Sequence, residues 1–236
     1  MNITSVLPNV KLSDVVFYVL IIFTILPVWL YESPAMIDFP QHIAQLSALK
    51  ALVSGNEFYG DLYEINWFTP YIITNLFLLF FTLILSPVIA LKIGITFYLL
   101  SIPLFTGLIA KKIGKQEDIR ILTIPFLYCL PFNWGFIPFL IAVGFSVIWL
   151  YYFIVCDNNP NSLINVIFSF FIIYSHAIAW GLIMVYIFFI CFKNGFNLYL
   201  SKGILKISSP LIFIIIWLIY LKSSASLNMD EDLFTY

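Results

Sequence analysis

Four polar side chains stand at helical spacing in the stretch SPAMIDFPQHIAQLSALKAL (33–52): Asp38, Gln41, His42 and Gln45. A helix brings positions i and i+4 together, so Asp38 and His42 share one face. A carboxylate beside an imidazole can take a proton from a hydroxyl group, with Asp38 as base and His42 in support, or contact a divalent cation such as Mg or Mn through Asp38. Gln45 adds an amide that can hydrogen-bond a bound substrate. Further along, Asn133 in PFNWGF (131–136) and His176 and Trp180 in SHAIAWG (175–181) interrupt long apolar intervals and are candidate substrate contacts. The same residue types also have a plainer reading. Asp38 and Gln41 have the spacing of a capping box, with Pro40 in the first turn. His42 and Gln45 would then face headgroups, His176 would bond a backbone carbonyl at a helix break, and Asn133 would cap a helix end. Residue types alone leave both readings open.

The elements that must position these groups follow from composition. The chain has 236 residues, of which 62% are hydrophobic, 19% aromatic and 10% charged. A soluble domain carries about 25% charged residues, and a chain of this length cannot hide so much apolar surface in one core. Lipid is therefore the expected solvent, and an all-α polytopic integral membrane protein the expected class, because a spanning helix satisfies its own backbone. Cys129, Cys156 and Cys191 are isolated in apolar stretches and read as packing residues. The acidic run at 230–232 reads as a solvated tail, there is no basic patch for nucleic acid, and no phosphate-binding glycine loop or HExxH pattern occurs.

Uncharged intervals lie at 15–31, 65–91, 93–110, 121–156, 158–192 and 207–221. The first is read as a retained signal anchor. Eight of the 11 basic residues fall in three clusters: Lys11; Lys111, Lys112, Lys115 and Arg120; and Lys193, Lys202 and Lys206. Basic residues gather on the cytoplasmic side. All three clusters share that side only if the 65–91 interval does not cross once. The expected map is one transmembrane domain over 1–236 with seven crossings, at 14–31, 88–110, 119–132, 136–156, 162–175, 178–193 and 206–222. A first outer loop spans 32–69 and carries an amphipathic surface helix at 38–54. A juxtamembrane or re-entrant apolar segment occupies 70–87, and an outer tail 223–236. The amino terminus is inside.

These features resemble the membrane glycosyltransferases of the GT-C type, which use polyprenyl-phosphate sugars as donors. The likeness is to bacterial members whose first outer loop carries a D-x-P-x-H-x-A signature, here DFPQHIAQ (38–45). It extends to TPYIITNLFLLFF (69–81), GFIPFLIAVGFSVIWLYY (135–152) and YSHAIAWG (174–181). The resemblance implies a bacterial cytoplasmic membrane protein that binds a lipid-linked sugar, with Asp38 as the base that activates the acceptor hydroxyl or as a metal contact. Pro138 stands where such chains often carry Asn. Such chains also continue through further helices, which implies an amino-terminal portion or a membrane protein partner that supplies them. A non-enzymatic accessory or scaffold subunit of a polysaccharide assembly system is the alternative.

Overall fold

The computed structural model describes residues 11–67, 69, 71–155, 162–194, 198–212, 214–216 and 218–220. Among them every regular element is helical. α1 (Leu12–Leu30) is followed by α2 (Phe39–Val53), the single turn α3 (Glu57–Gly60), α4 (Ile72–Thr82) and α5 (Pro87–Lys112). A 3-10 helix (Glu117–Phe126) leads to α6 (Leu130–Trp134). α7 (Ile137–Val155), α8 (Leu163–Ser175), α9 (Ala177–Asn194) and α10 (Leu198–Ser208) complete the chain order.

α5 and α7 form the centre and run in the same direction. Gly94 meets Ile141, Gly144 meets Phe97 and Ser101, and Phe105 stacks edge-on against Tyr151. The two glycines permit this approach, as small residues do where apolar helices pack closely. A Cβ on Gly144 would lie 2.7 Å from the Phe97 ring and 2.8 Å from Ser101 Oγ. Ser86 starts α5 by accepting a hydrogen bond from Ile89 N at 3.3 Å, and Pro87 occupies the first turn, where its missing N–H costs nothing.

Two parallel neighbours need a return path, and the 3-10 helix supplies it. It begins at the end of the bundle where buried Arg120 pairs with Asp14 of α1 and with Glu117, and where its guanidinium lies 4.0 Å from the Phe17 ring centroid. It continues to Tyr128, whose hydroxyl donates to Thr24 O at 2.6 Å, and reaches the opposite end at α6. The crossing expected at 119–132 is therefore not an α-helix. Pro125 lies within the 3-10 segment and Pro131 opens α6. A 3-10 helix rises about 2.0 Å per residue against about 1.5 Å for an α-helix, so a short stretch covers more of the path.

Among the described residues three helices are long and apolar enough to cross a membrane: α1, α5 and α7, with mean hydropathy 2.1, 2.0 and 2.1. That is fewer than the seven crossings expected. α8 has 13 residues, and the apolar part of α9 runs Ala177–Ile190. Both fall short of the roughly 20 residues of a plain span, because His176 breaks the chain between them in an extended conformation (φ −166°, ψ 120°). The crossing expected at 206–222 begins inside α10, which ends at Ser208; after a turn at 209–210 the described residues between 211 and 220 are helical again. Residues 221 and 222 and the tail 223–236 lie outside the described residues, as does Cys156.

The bundle has two unlike ends. Lys111, Lys112, Glu117, Arg120 and Asp14 gather at one. At the other, α1 ends beside α5, where Lys92 Nζ donates to Tyr31 O at 2.6 Å. α4 begins at this second end, where the Tyr71 ring lies 5.6 Å from that of His176, then packs Phe77 against Phe97 and Phe145, and the turn after Thr82 leads to the α5 N-cap. If α5 crosses the bilayer, protease-cleavable tags inserted after Leu85 and after Gly114 should be cut from opposite faces of sealed vesicles. Cleavage of both from one face would refute that path.

Candidate functional site

The polar residues of the first loop are held by a very short helix. α6 ends at Gly135, which adopts φ +84°, a left-handed conformation that favours glycine. Its last carbonyls point at the loop that leads into α2. Asn133 O accepts from Ile37 N at 3.1 Å, Trp134 O from Asp38 N at 3.0 Å, and Gly135 O from His42 Nε2 at 3.1 Å. Three successive carbonyls, the orphan acceptors of a helix C-terminus, thus fix Asp38 and His42 relative to one another. The fit is close: a Cβ on Gly135 would stand 3.1 Å from Asp38 N and 3.4 Å from Asp38 Cβ.

Asp38 occupies the N-cap position of α2, and its carbonyl accepts from His42 N at 3.1 Å. Its carboxylate makes no capping bond, so the capping box with Gln41 does not form. The backbone of Asp38 does the capping work while the side chain faces a cavity of about 560 Å³. That volume lies within the range of about 300–1,000 Å³ typical of ligand sites. Asp38, Gln41, His42 and Gln45 line it from α2. Thr69, Tyr71 and Asn75 line it from the α4 side, and Phe136, Pro138, Phe139 and His176 supply the rest.

Burial disfavours the charged form of both imidazoles. Burial lowers the pKa of His42, and hydrogen bonding to Gly135, the Asp38 charge and Gln45 offset this only in part. A carbonyl can only accept, so His42 Nε2 carries its proton and Nδ1 keeps a lone pair. Burial also lowers the pKa of His176, which sits between the rings of Tyr71 (5.6 Å) and Phe139 (5.2 Å). Among the described residues its Nδ1 is buried with no hydrogen-bond partner. A buried polar atom left unpaired costs about 1–3 kcal/mol and calls for a ligand or a water.

The candidates divide as follows. Asp38, His42, Gln45 and His176 line one cavity although 138 positions separate the first from the last. Asn133 and Trp180 are not among its lining residues. Asn133 acts through its backbone carbonyl, and the Trp180 indole donates to Ser169 Oγ at 2.6 Å, tying α9 to α8. Residue-type reasoning left out Thr69, Tyr71, Asn75 and Phe139. The available sign was Asn75, an amide within an otherwise apolar run. Among the described residues no group of three or more His, Cys, Asp and Glu side chains is placed to hold a metal ion. No cation lines the cavity either. No family model, curated protein or solved structure matches this chain.

Two outcomes follow from this geometry. Gly135→Ala should lose about 1–2 kcal/mol from the left-handed backbone alone, read as a lower midpoint of thermal unfolding in detergent; an unchanged midpoint would show that α6 does not clamp the loop. Both histidines have folded-state pKa values below the ordinary value of about 6.5. Below that pH the unfolded chain binds more protons than the folded one, so stability is complete above about 6.5 and is lost as pH falls through the depressed values. The midpoint should therefore drop on acidification, less so in His42→Gln and in His176→Gln. Equal pH dependence in all three proteins would contradict the burial of these rings.

Proposed function

We propose that this chain is a GT-C-like membrane glycosyltransferase, or the amino-terminal part of one. It would transfer a sugar from a polyprenyl-phosphate donor to an acceptor hydroxyl at the outer membrane face. The observation that carries this reading is the meeting of one carboxylate, two imidazoles and several neutral amide and hydroxyl groups in a single cavity. The cavity lies at the end of an apolar bundle remote from the basic cluster. Neutral donors and acceptors over aromatic rings suit a sugar, whose hydroxyls need both kinds of partner and whose C–H faces pack on rings. By the positive-inside tendency the basic end is cytoplasmic and the cavity is outside. The membrane is then a bacterial cytoplasmic membrane and the amino terminus faces in. α8 and α9 act as a short hairpin whose break at His176 stops below headgroup level and forms part of the cavity wall.

In this reading Asp38 accepts the proton of the acceptor hydroxyl as its oxygen bonds to the anomeric carbon. The bond from that carbon to the phosphate oxygen breaks, and polyprenyl phosphate leaves with the electron pair. His42, fixed by Gly135, keeps Asp38 company without adding a charge, and Gln45 and His176 hold sugar hydroxyls. A divalent cation such as Mg or Mn in contact with Asp38, the one carboxylate in the lining, is a further part of this reading, and the step above balances without it.

Removing a general base typically costs 10²–10⁴-fold in rate. Vesicles bearing Asp38→Asn should show a loss of about that size in transfer from a polyprenyl-phosphate sugar, with the protein still folded. Turnover equal to wild type would remove Asp38 from the chemistry.

A further inference from the structure

A second cavity, of about 490 Å³, opens farther along α2. Gln45, Thr69 and Asn75 line both cavities, so the two share a polar wall. Beyond that wall the 63–66 segment contributes Tyr63, Glu64 and Asn66, while α2 presents an apolar side. Ala44, Ala48 and Leu52 repeat every four positions and so form one stripe along α2, and Ile65 and Ile72 face them across the space. The alanines leave room that larger side chains would fill. Glu64 is the single charged residue in the lining, and no cation accompanies it.

A groove with one apolar side, the alanine stripe opposite Ile65 and Ile72, and polar groups at the shared wall matches an amphiphile laid lengthwise. The sign of the charge selects the head. No cation lines the cavity to pair a phosphate or carboxylate head, and Glu64, exposed to solvent, adds a like charge, whereas hydroxyls can exchange hydrogen bonds with Gln45, Thr69 and Asn75. We propose that this second cavity binds a single-chain amphiphile with an uncharged, hydroxylated headgroup, chain along the alanine stripe and head at the shared wall. The binding stands on the cavity alone. Only its role rests on the transferase reading: there, a hydroxyl at the shared wall is presented to Asp38, which makes the amphiphile the acceptor.

Equilibrium binding to purified full-length protein in amphipol, with 1-decanoylglycerol and decyl phosphate as probes, tests this without any turnover. Decanoylglycerol should bind saturably and decyl phosphate at least about tenfold more weakly. Ala48→Phe, which fills the groove, should weaken decanoylglycerol about tenfold or more. Ala44→Leu gives the same test should the phenylalanine variant not fold. Glu64→Gln should narrow the gap between the probes. His176→Gln, in the first cavity alone, should leave decanoylglycerol within about twofold. Non-saturable binding, equal affinity for the two probes, indifference to groove filling, or dependence on His176 would each overturn the assignment. The Asp38→Asn turnover measurement is untouched by any of these results, so failure of one reading is distinguishable from failure of the other.

Discussion

Three carbonyls at the end of a five-residue helix hold the site together. Asn133, Trp134 and Gly135 each accept one hydrogen bond from the loop at 37–42. A helix C-terminus must find donors for its last carbonyls, and here the donors are two backbone N–H groups and one imidazole. The need is met and the site is positioned by the same bonds. Gly135 makes this possible because its left-handed backbone turns α6 sharply into α7 and leaves space for Asp38 to approach.

The central pair α5 and α7 sets the level at which this happens. Because the two run parallel, the chain must travel back between them, and it does so as a 3-10 helix followed by α6. That return delivers α6 to the same end where α1 has just finished. Arg120 fixes the start of the path through Asp14 and Glu117, and Tyr128 ties its later part to α1. The charged cluster and the cavity are thus opposite ends of one construction. At the charged end Arg120 pairs with Asp14 and Glu117, and Lys111 reaches Glu117 at 3.8 Å. At the cavity end polarity is mostly neutral, which agrees with burial that disfavours the charged form of both imidazoles.

α4 shapes the cavity from the other side. Its first turns set Tyr71 beside His176 and bring Asn75 into the cavity lining with Gln45. Its outer residues and the loop before it then divide the space in two, with Gln45, Thr69 and Asn75 as the partition.

Composition and periodicity by themselves determined the all-helical class, the apolar character of α1, α5 and α7, and the start of α2 at Asp38, because each depends on local residue type. Seven full crossings were not to be had from the same reasoning. Counting uncharged intervals cannot tell an α-helix from a 3-10 return through Pro125, although the break at SHAIAWG was legible, and α8 and α9 meet there. The tertiary structure alone decided which polar groups meet. It took Asp38, His42 and Gln45 from one loop and His176 from a distant break, left Asn133 to act through its carbonyl, and gave the Trp180 indole to Ser169. The reason is physical: a side chain's type is written in the chain, but its partners depend on which backbone groups are left unsatisfied when the helices pack.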